Sequence, residues 1–124
     1  ERAEHLLDFV GLFPKRHLTS GDLSFGQQKL LEFAMALMNE PKVLLLDEPT
    51  AGINPTLING LIDRLKRANQ EFGITLFVIE HNMRVVMNLV DSLYCLAHGE
   101  MLAQGTPHEI KNDQNVIDAY LGVH

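Results

Sequence analysis

Four consecutive aliphatic residues, Val43-Leu44-Leu45-Leu46, run straight into Asp47-Glu48-Pro49. Such a run predicts a strand buried on both faces, as in a parallel sheet. Thr75-Leu76-Phe77-Val78-Ile79 predicts a second strand of the same kind. Between them, Pro55 suits the first turn of a helix. Leu57, Ile58, Leu61, Ile62, Leu65 and Ala68 give that helix its apolar stripe, and Gly73 ends it. Residues 92–97 read as a third strand, and His98-Gly99-Glu100 as a turn into a fourth, Met101 to Gln104. Strand, helix, strand, helix, strand predicts an α/β fold with a parallel sheet.

The flanks are helical. Ala3, Leu6, Leu7 and Val10 recur at helical spacing over residues 1–11, with no capping residue at the start. Gly11 to Ser20, with Pro14 and Lys15-Arg16-His17, reads as a connector. Leu30, Leu31, Ala34, Leu37 and Met38 mark one face of a helix that ends near Asn39-Glu40-Pro41. Met83, Val86, Leu89 and Val90 predict a short helix, Gly105-Thr106-Pro107 a break, and Val116, Ile117, Tyr120 and Leu121 a final helix. Gly122-Val123-His124 reads as a chain end. No internal repeat or low-complexity segment occurs.

The totals narrow the classes. A length of 124 residues suits one domain or a piece of one. With 46% hydrophobic residues the chain can build a core, which argues against disorder. Sixteen acidic against ten basic residues, a net charge of -6, weighs against a main role in gripping nucleic-acid phosphates. The single cysteine, Cys95, cannot form an internal disulfide and needs no oxidising compartment. The apolar runs fall far short of the ~20 residues that span a bilayer. The first residues, Glu1-Arg2-Ala3-Glu4-His5, do not read as a secretory signal. These features set a cytosolic protein as the expectation.

Three short segments could carry chemistry. Asp47 and Glu48 stand at the carboxyl end of an apolar strand, where ligands bind in open α/β sheets. The first carboxylate can hold Mg²⁺ through water, and the second can polarise an attacking water. A solvated turn before a proline explains the same residues equally well. Ser24 and Gly26 precede a helix, so backbone amides and a hydroxyl could meet a phosphate there. Taken alone, Ser24 is better explained as an ordinary helix cap. His81 follows the second strand and could bond a phosphate oxygen or orient a water. A single histidine at a strand end is more often a polar surface residue. The other histidines show no metal-ligand spacing, and no G-x-x-x-x-G-K-[ST] phosphate loop is present.

Taken together and in order, these segments resemble the ATP-binding-cassette (ABC) ATPases, and the resemblance covers almost the whole chain. Leu23-Ser24-Phe25-Gly26-Gln27 resembles the signature loop, and residues 43–48 the Walker B strand with its glutamate. Ala51-Gly52-Ile53-Asn54 resembles the D-loop, and His81 the switch histidine. Gln27-Gln28, Ala51 to Pro55 and the stretch from Gln104 through Gly122 look closest to ATP-binding subunits of bacterial branched-chain amino-acid importers.

The resemblance implies ATP and Mg²⁺ as cofactors and transport-coupled ATP hydrolysis as the activity. It implies that Glu48 and His81 are catalytic, that Asp47 serves the metal, and that Ser24, Gly26, Gln27 and Asn54 face a partner subunit's ATP or the dimer interface. It also implies a second ATP-binding subunit, membrane permease subunits and, indirectly, a solute-binding protein as partners, with no nucleic acid. The protein would sit in the cytoplasm, peripheral on the inner face of a bacterial membrane. Phe25 departs from the usual first glycine of the signature pair, and Asn54 stands where a carboxylate is frequent.

Without the phosphate loop, the expectation is a C-terminal portion only: a partial P-loop NTPase (RecA-like) fold with a parallel sheet, lacking the Walker A half. Residues 1–40 would end the helical subdomain, and residues 41–124 would belong to the ATPase core. Such a portion would be inactive alone, and unstable or paired with another chain. Two other readings stay open, a non-catalytic interaction module and an ABC ATPase of DNA maintenance or translation.

Overall fold

The computed structural model describes residues 1–121, so the expected chain end at Gly122–His124 lies outside the described residues. The chain divides into two compact units, Glu1–His81 and a second that begins at Asn82.

In the first unit, α1 (Arg2–Phe9) buries Leu6 and Phe9. The Arg2 guanidinium donates to the Leu37 carbonyl at 2.8 Å and pairs with Glu40 at 3.3 Å, tying α1 to the end of α2 (Phe25–Leu37). Helix α2 starts at a reciprocal cap: the Gln27 N–H donates to Ser24 Oγ at 3.2 Å, and the Ser24 N–H donates to Gln27 Oε1 at 3.0 Å. Each bond satisfies a donor that the helix start would otherwise leave open. Its buried face carries Phe33, Ala34 and Leu37, while Met38 is exposed.

Strand β1 (Val43–Asp47) pairs in parallel with β2 (Thr75–Ile79), in a register that sets Val43 opposite Thr75 and Asp47 opposite Ile79. Helix α3 (Pro55–Phe72) connects them and buries Ile58, Leu61, Ile62, Leu65 and Ala68. Asn54 caps its start, Pro55 fills the first turn, and Gly73 ends it in the left-handed conformation at φ +67°. The Asn69 side chain then donates to the Ile74 carbonyl at 2.8 Å and secures the turn into β2.

In the second unit, α4 (Met83–Leu89) is capped by Asn82 and buries Val85. Strands β3 (Leu93–Ala97) and β4 (Glu100–Gly105) form an antiparallel hairpin. Its turn, His98-Gly99, holds both residues at positive φ, +52° and +78°, as tight hairpin turns require. Helix α5 (Pro107–Lys111) starts from a second reciprocal cap, between Thr106 and Glu109. The Thr106 backbone and side chain bond the Glu109 carboxylate and hold its pKa below the ordinary value. A short helix, α6 (Gln114–Val116), and a π-helical turn, Ile117–Leu121, complete the described chain. Cys95, Ile110 and Val116 form the core of this unit. No described helix is long and apolar enough to cross a membrane.

The structure corrects the expected sheet. The parallel pairing is confined to β1 and β2, and β3 joins β4 instead of extending it. A two-residue turn forces consecutive strands to run antiparallel, so β3 spends its described pairing on the strand that follows it. Nor are β1 and β2 buried on both faces. Leu44, Leu46, Leu76 and Val78 are half-buried, whereas Val43, Leu45, Phe77 and Ile79 are exposed, Leu45 at 73%. Helix α3 packs against β2 within the first unit.

Leu65 is almost fully buried in the centre of α3, so Leu65→Ala leaves a cavity and should destabilise the fold by about 2–5 kcal/mol in urea unfolding. Burial also raises the pKa of the Cys95 thiol. Alkylation by iodoacetamide should therefore be slow in the folded protein and become fast once denaturant opens the second unit.

Candidate functional site

The parallel register brings the ends of β1 and β2 side by side. The Glu48 N–H donates to the Ile79 carbonyl at 2.7 Å and carries the pairing one residue past β1. Glu48 then takes φ +49°, a left-handed conformation that costs a non-glycine residue about 1–3 kcal/mol and gathers at functional sites. His81, two residues beyond β2, places Nδ1 2.8 Å from Glu48 Oε1. The His81 and Glu48 side chains are 75% and 42% exposed, so this pair faces solvent and adds little to stability. Its use is orientation. With Nδ1–H donating to the carboxylate, Nε2 remains free for another partner. Asp47 is exposed beside them and makes no ion pair among the described residues.

Two residues outside the sequence-based set lock the loop that follows. Thr50 is the buried polar residue of this region. Its hydroxyl donates to Glu80 Oε2 at 2.6 Å, and its backbone N–H donates to the same oxygen at 3.2 Å. The other carboxylate oxygen, Oε1, accepts from the His81 N–H at 3.3 Å. One carboxylate thus holds the loop after β1 and the residue after β2 together. A buried threonine paired with a carboxylate 30 residues away leaves no local signal in sequence.

The loop continues as two tight turns, Ala51 N–H to Glu48 O at 3.1 Å and Ile53 N–H to Thr50 O at 3.1 Å. It ends at Asn54, whose Oδ1 accepts from the Thr56 N–H and hydroxyl, each at 3.0 Å. Asn54 is therefore engaged as the cap of α3. Ser24 and Gln27 are likewise engaged, as the cap of α2. Gly26 lies against α3: a Cβ there would stand 3.1 Å from Leu57 Cδ1. Ser24, Gly26, Gln27, Ile53, Thr56 and Leu57 line part of a cleft of about 310 Å³. The site residues thus form two groups, Asp47 with Glu48 and His81 at the strand ends, and Ser24, Gly26 and Gln27 beside Asn54 at two helix starts.

No group of three or more metal-ligating side chains occurs among the described residues. A lone Asp47 suits Mg²⁺ that arrives with a nucleotide, since Mg²⁺ keeps several waters and takes one or two carboxylates plus phosphate oxygens.

Known proteins resemble this chain in sequence and in fold. An ABC transporter family model matches residues 1–51, and a branched-chain amino acid ATP-binding cassette transporter model matches residues 100–124. The chain is 39% identical to the high-affinity branched-chain amino acid transport ATP-binding protein BraF of Pseudomonas aeruginosa, covering 98% of this chain and 48% of that one. It is 37% identical to LivG of Escherichia coli, of the same description, with the same coverage. The ADP conformation of MJ1267, an ATP-binding cassette of an ABC transporter, superposes with a TM-score of 0.87 at 33% identity, over 98% of this chain and 49% of that one. Part of the cbiONQ transporter complex, cbiO1 of Clostridium perfringens, superposes with a TM-score of 0.84 at 32% identity, over 97% and 49%. The chain spans about half the length of the curated relatives it matches.

These likenesses correct two expectations. ATP-binding cassette proteins match 98% of the chain, which overturns the expectation of a C-terminal portion only. The expected partial fold is overturned as well, because cassette structures follow 96–98% of the chain.

Thr50→Val keeps the side-chain volume and removes the hydroxyl that Glu80 accepts. Loss of a hydrogen bond to a half-buried carboxylate should lower stability by about 1–3 kcal/mol in urea unfolding.

Proposed function

We infer that this chain is part of an ATP-binding subunit of an ABC transporter and works in an ATPase that powers amino-acid import, branched-chain amino acids being the substrate class. The observation that carries the hydrolytic reading is the Glu48–His81 contact of 2.8 Å, held beside Asp47 where two parallel strands end. The substrate class rests on the family model over residues 100–124 and on the relatives' described transport.

The chain's own residues suggest a division of work. Glu48 is the group that polarises the attacking water, and His81 holds the Glu48 carboxylate in place through Nδ1 while Nε2 is free to meet a phosphate oxygen. Asp47 is the proposed Mg²⁺ residue, acting through water. Mg²⁺ bound with the nucleotide would neutralise charge on the phosphate oxygens. Ser24, Gly26 and Gln27 are proposed to approach ATP held by a second subunit in a head-to-tail dimer, with Asn54 at that interface. The capping of α2 supports this, since Ser24 and Gln27 are already fixed by each other before any ligand arrives. In this reading residues 1–40 carry the signature loop and residues 41–124 the hydrolytic core. Membrane permease subunits would anchor the assembly on the inner face of the cell membrane, and a solute-binding protein would choose the cargo.

In the transporter assembled with its permease subunits, Glu48→Gln should leave ATP binding intact and cut phosphate release by about 10²-fold or more. Unchanged steady-state hydrolysis would remove Glu48 from this role.

A further inference from the structure

We propose that Phe25 is a positioning residue that fixes the Ser24–Gln27 loop against the Ala51–Asn54 loop, so that the strand-end carboxylates and the signature loop move together. Two glycines and two bulky side chains interlock there. A Cβ on Gly52 would stand 3.1 Å from Phe25 Cε2 and 3.4 Å from Cζ, so the ring lies on bare backbone. A Cβ on Gly26 would stand 3.1 Å from Leu57 Cδ1. Gly26 thus receives a side chain of α3, and Gly52 of the Ala51–Asn54 loop receives Phe25. Gly52 is also held at φ +75°, where a side chain is strained in any case.

Both loops are stiff enough to transmit a displacement. On one side, the Ser24–Gln27 cap is reinforced by Gln28 Nε2, which donates to the Ser20 carbonyl at 3.0 Å and the Leu23 carbonyl at 3.3 Å. On the other, the Glu48 carbonyl accepts from Ala51, and Thr50 is tied to Glu80. Gly52 follows Ala51 directly. A continuous path of bonds and one ring contact therefore runs from Glu48 to Ser24. Phe25 is 52% exposed, so the ring does little as core, and the Lys29 ammonium lies 5.4 Å from its centroid. Half of a phenyl ring left in water at this position is better explained by the contact it makes than by burial.

This inference rests on the ATPase reading, and its test separates the two. In the transporter assembled with its permease subunits, Phe25→Ala and Gly52→Ala should each lower kcat roughly tenfold, within the loss that small misplacements cause, while KM for ATP changes by less than about threefold. Phe25→Ala removes the contact and Gly52→Ala crowds it, so the two losses should not multiply in the double variant. Phe25→Leu, which keeps an apolar knob, should recover most of the rate. Multiplying losses in the double variant would overturn the proposal. An NMR measurement on the protein decides the contact without any activity. Phe25→Leu should remove a ring-current shift from the Gly52 Hα protons, and Gly52→Ala should move the Ser24 and Gln27 amide signals only when Phe25 is present. Amide signals that stay still, or that move equally without Phe25, would also overturn it. Failure of the Glu48→Gln prediction with these NMR shifts present would sink the ATPase reading and leave the coupling standing.

Discussion

The register of one parallel strand pair underlies the contact at the centre of the candidate site. Setting Asp47 opposite Ile79 puts Glu48 and His81 within 2.8 Å of each other, although 33 positions separate them in sequence. A slip of one residue would turn every side chain of β1 to the other face and break that contact. The Glu48 N–H to Ile79 carbonyl bond extends the ladder beyond β1 and fixes the register where it matters. Helix α3 makes the pairing possible, since parallel neighbours need a long crossover connection, and its stripe from Ile58 to Ala68 supplies the buried surface.

Capping residues do double duty around this pair. Ser24, Gln27 and Asn54, singled out by resemblance for nucleotide or interface roles, are all occupied in helix starts. Structural and functional explanations of these residues do not exclude each other. A cap points backbone donors outward at the start of a helix, the place where phosphate is favoured. Stiffness acquired from the cap also lowers the ordering cost of any later contact.

Much of the candidate site's geometry was legible because its signals are local. An aliphatic run ending in Asp47-Glu48-Pro49, a helix stripe from Leu57 to Ala68 and a histidine after the next strand are short patterns that survive without a structure. Thr50 with Glu80 was not legible, because the bond depends on strand register across 30 residues. Nor was Phe33, a buried face residue of α2, whereas Met38 fits the periodic stripe and yet lies exposed. The aliphatic runs showed that β1 and β2 shun water but not which faces would be covered. Leu45 at 73% exposure is the clearest instance. The pairing of β3 was misjudged for a related reason: strand content is local, while partner choice depends on the turn at His98-Gly99.

The left-handed backbone at Glu48 settles a problem of like charges. Two carboxylates in succession would repel if they shared one site. The bend after Asp47 lets Glu48 engage His81 while Asp47 stands apart without an ion pair among the described residues. Chemically similar neighbours thereby gain different surroundings, one carboxylate beside an imidazole and one open to solvent. The backbone angle at Glu48 marks the point where the two part.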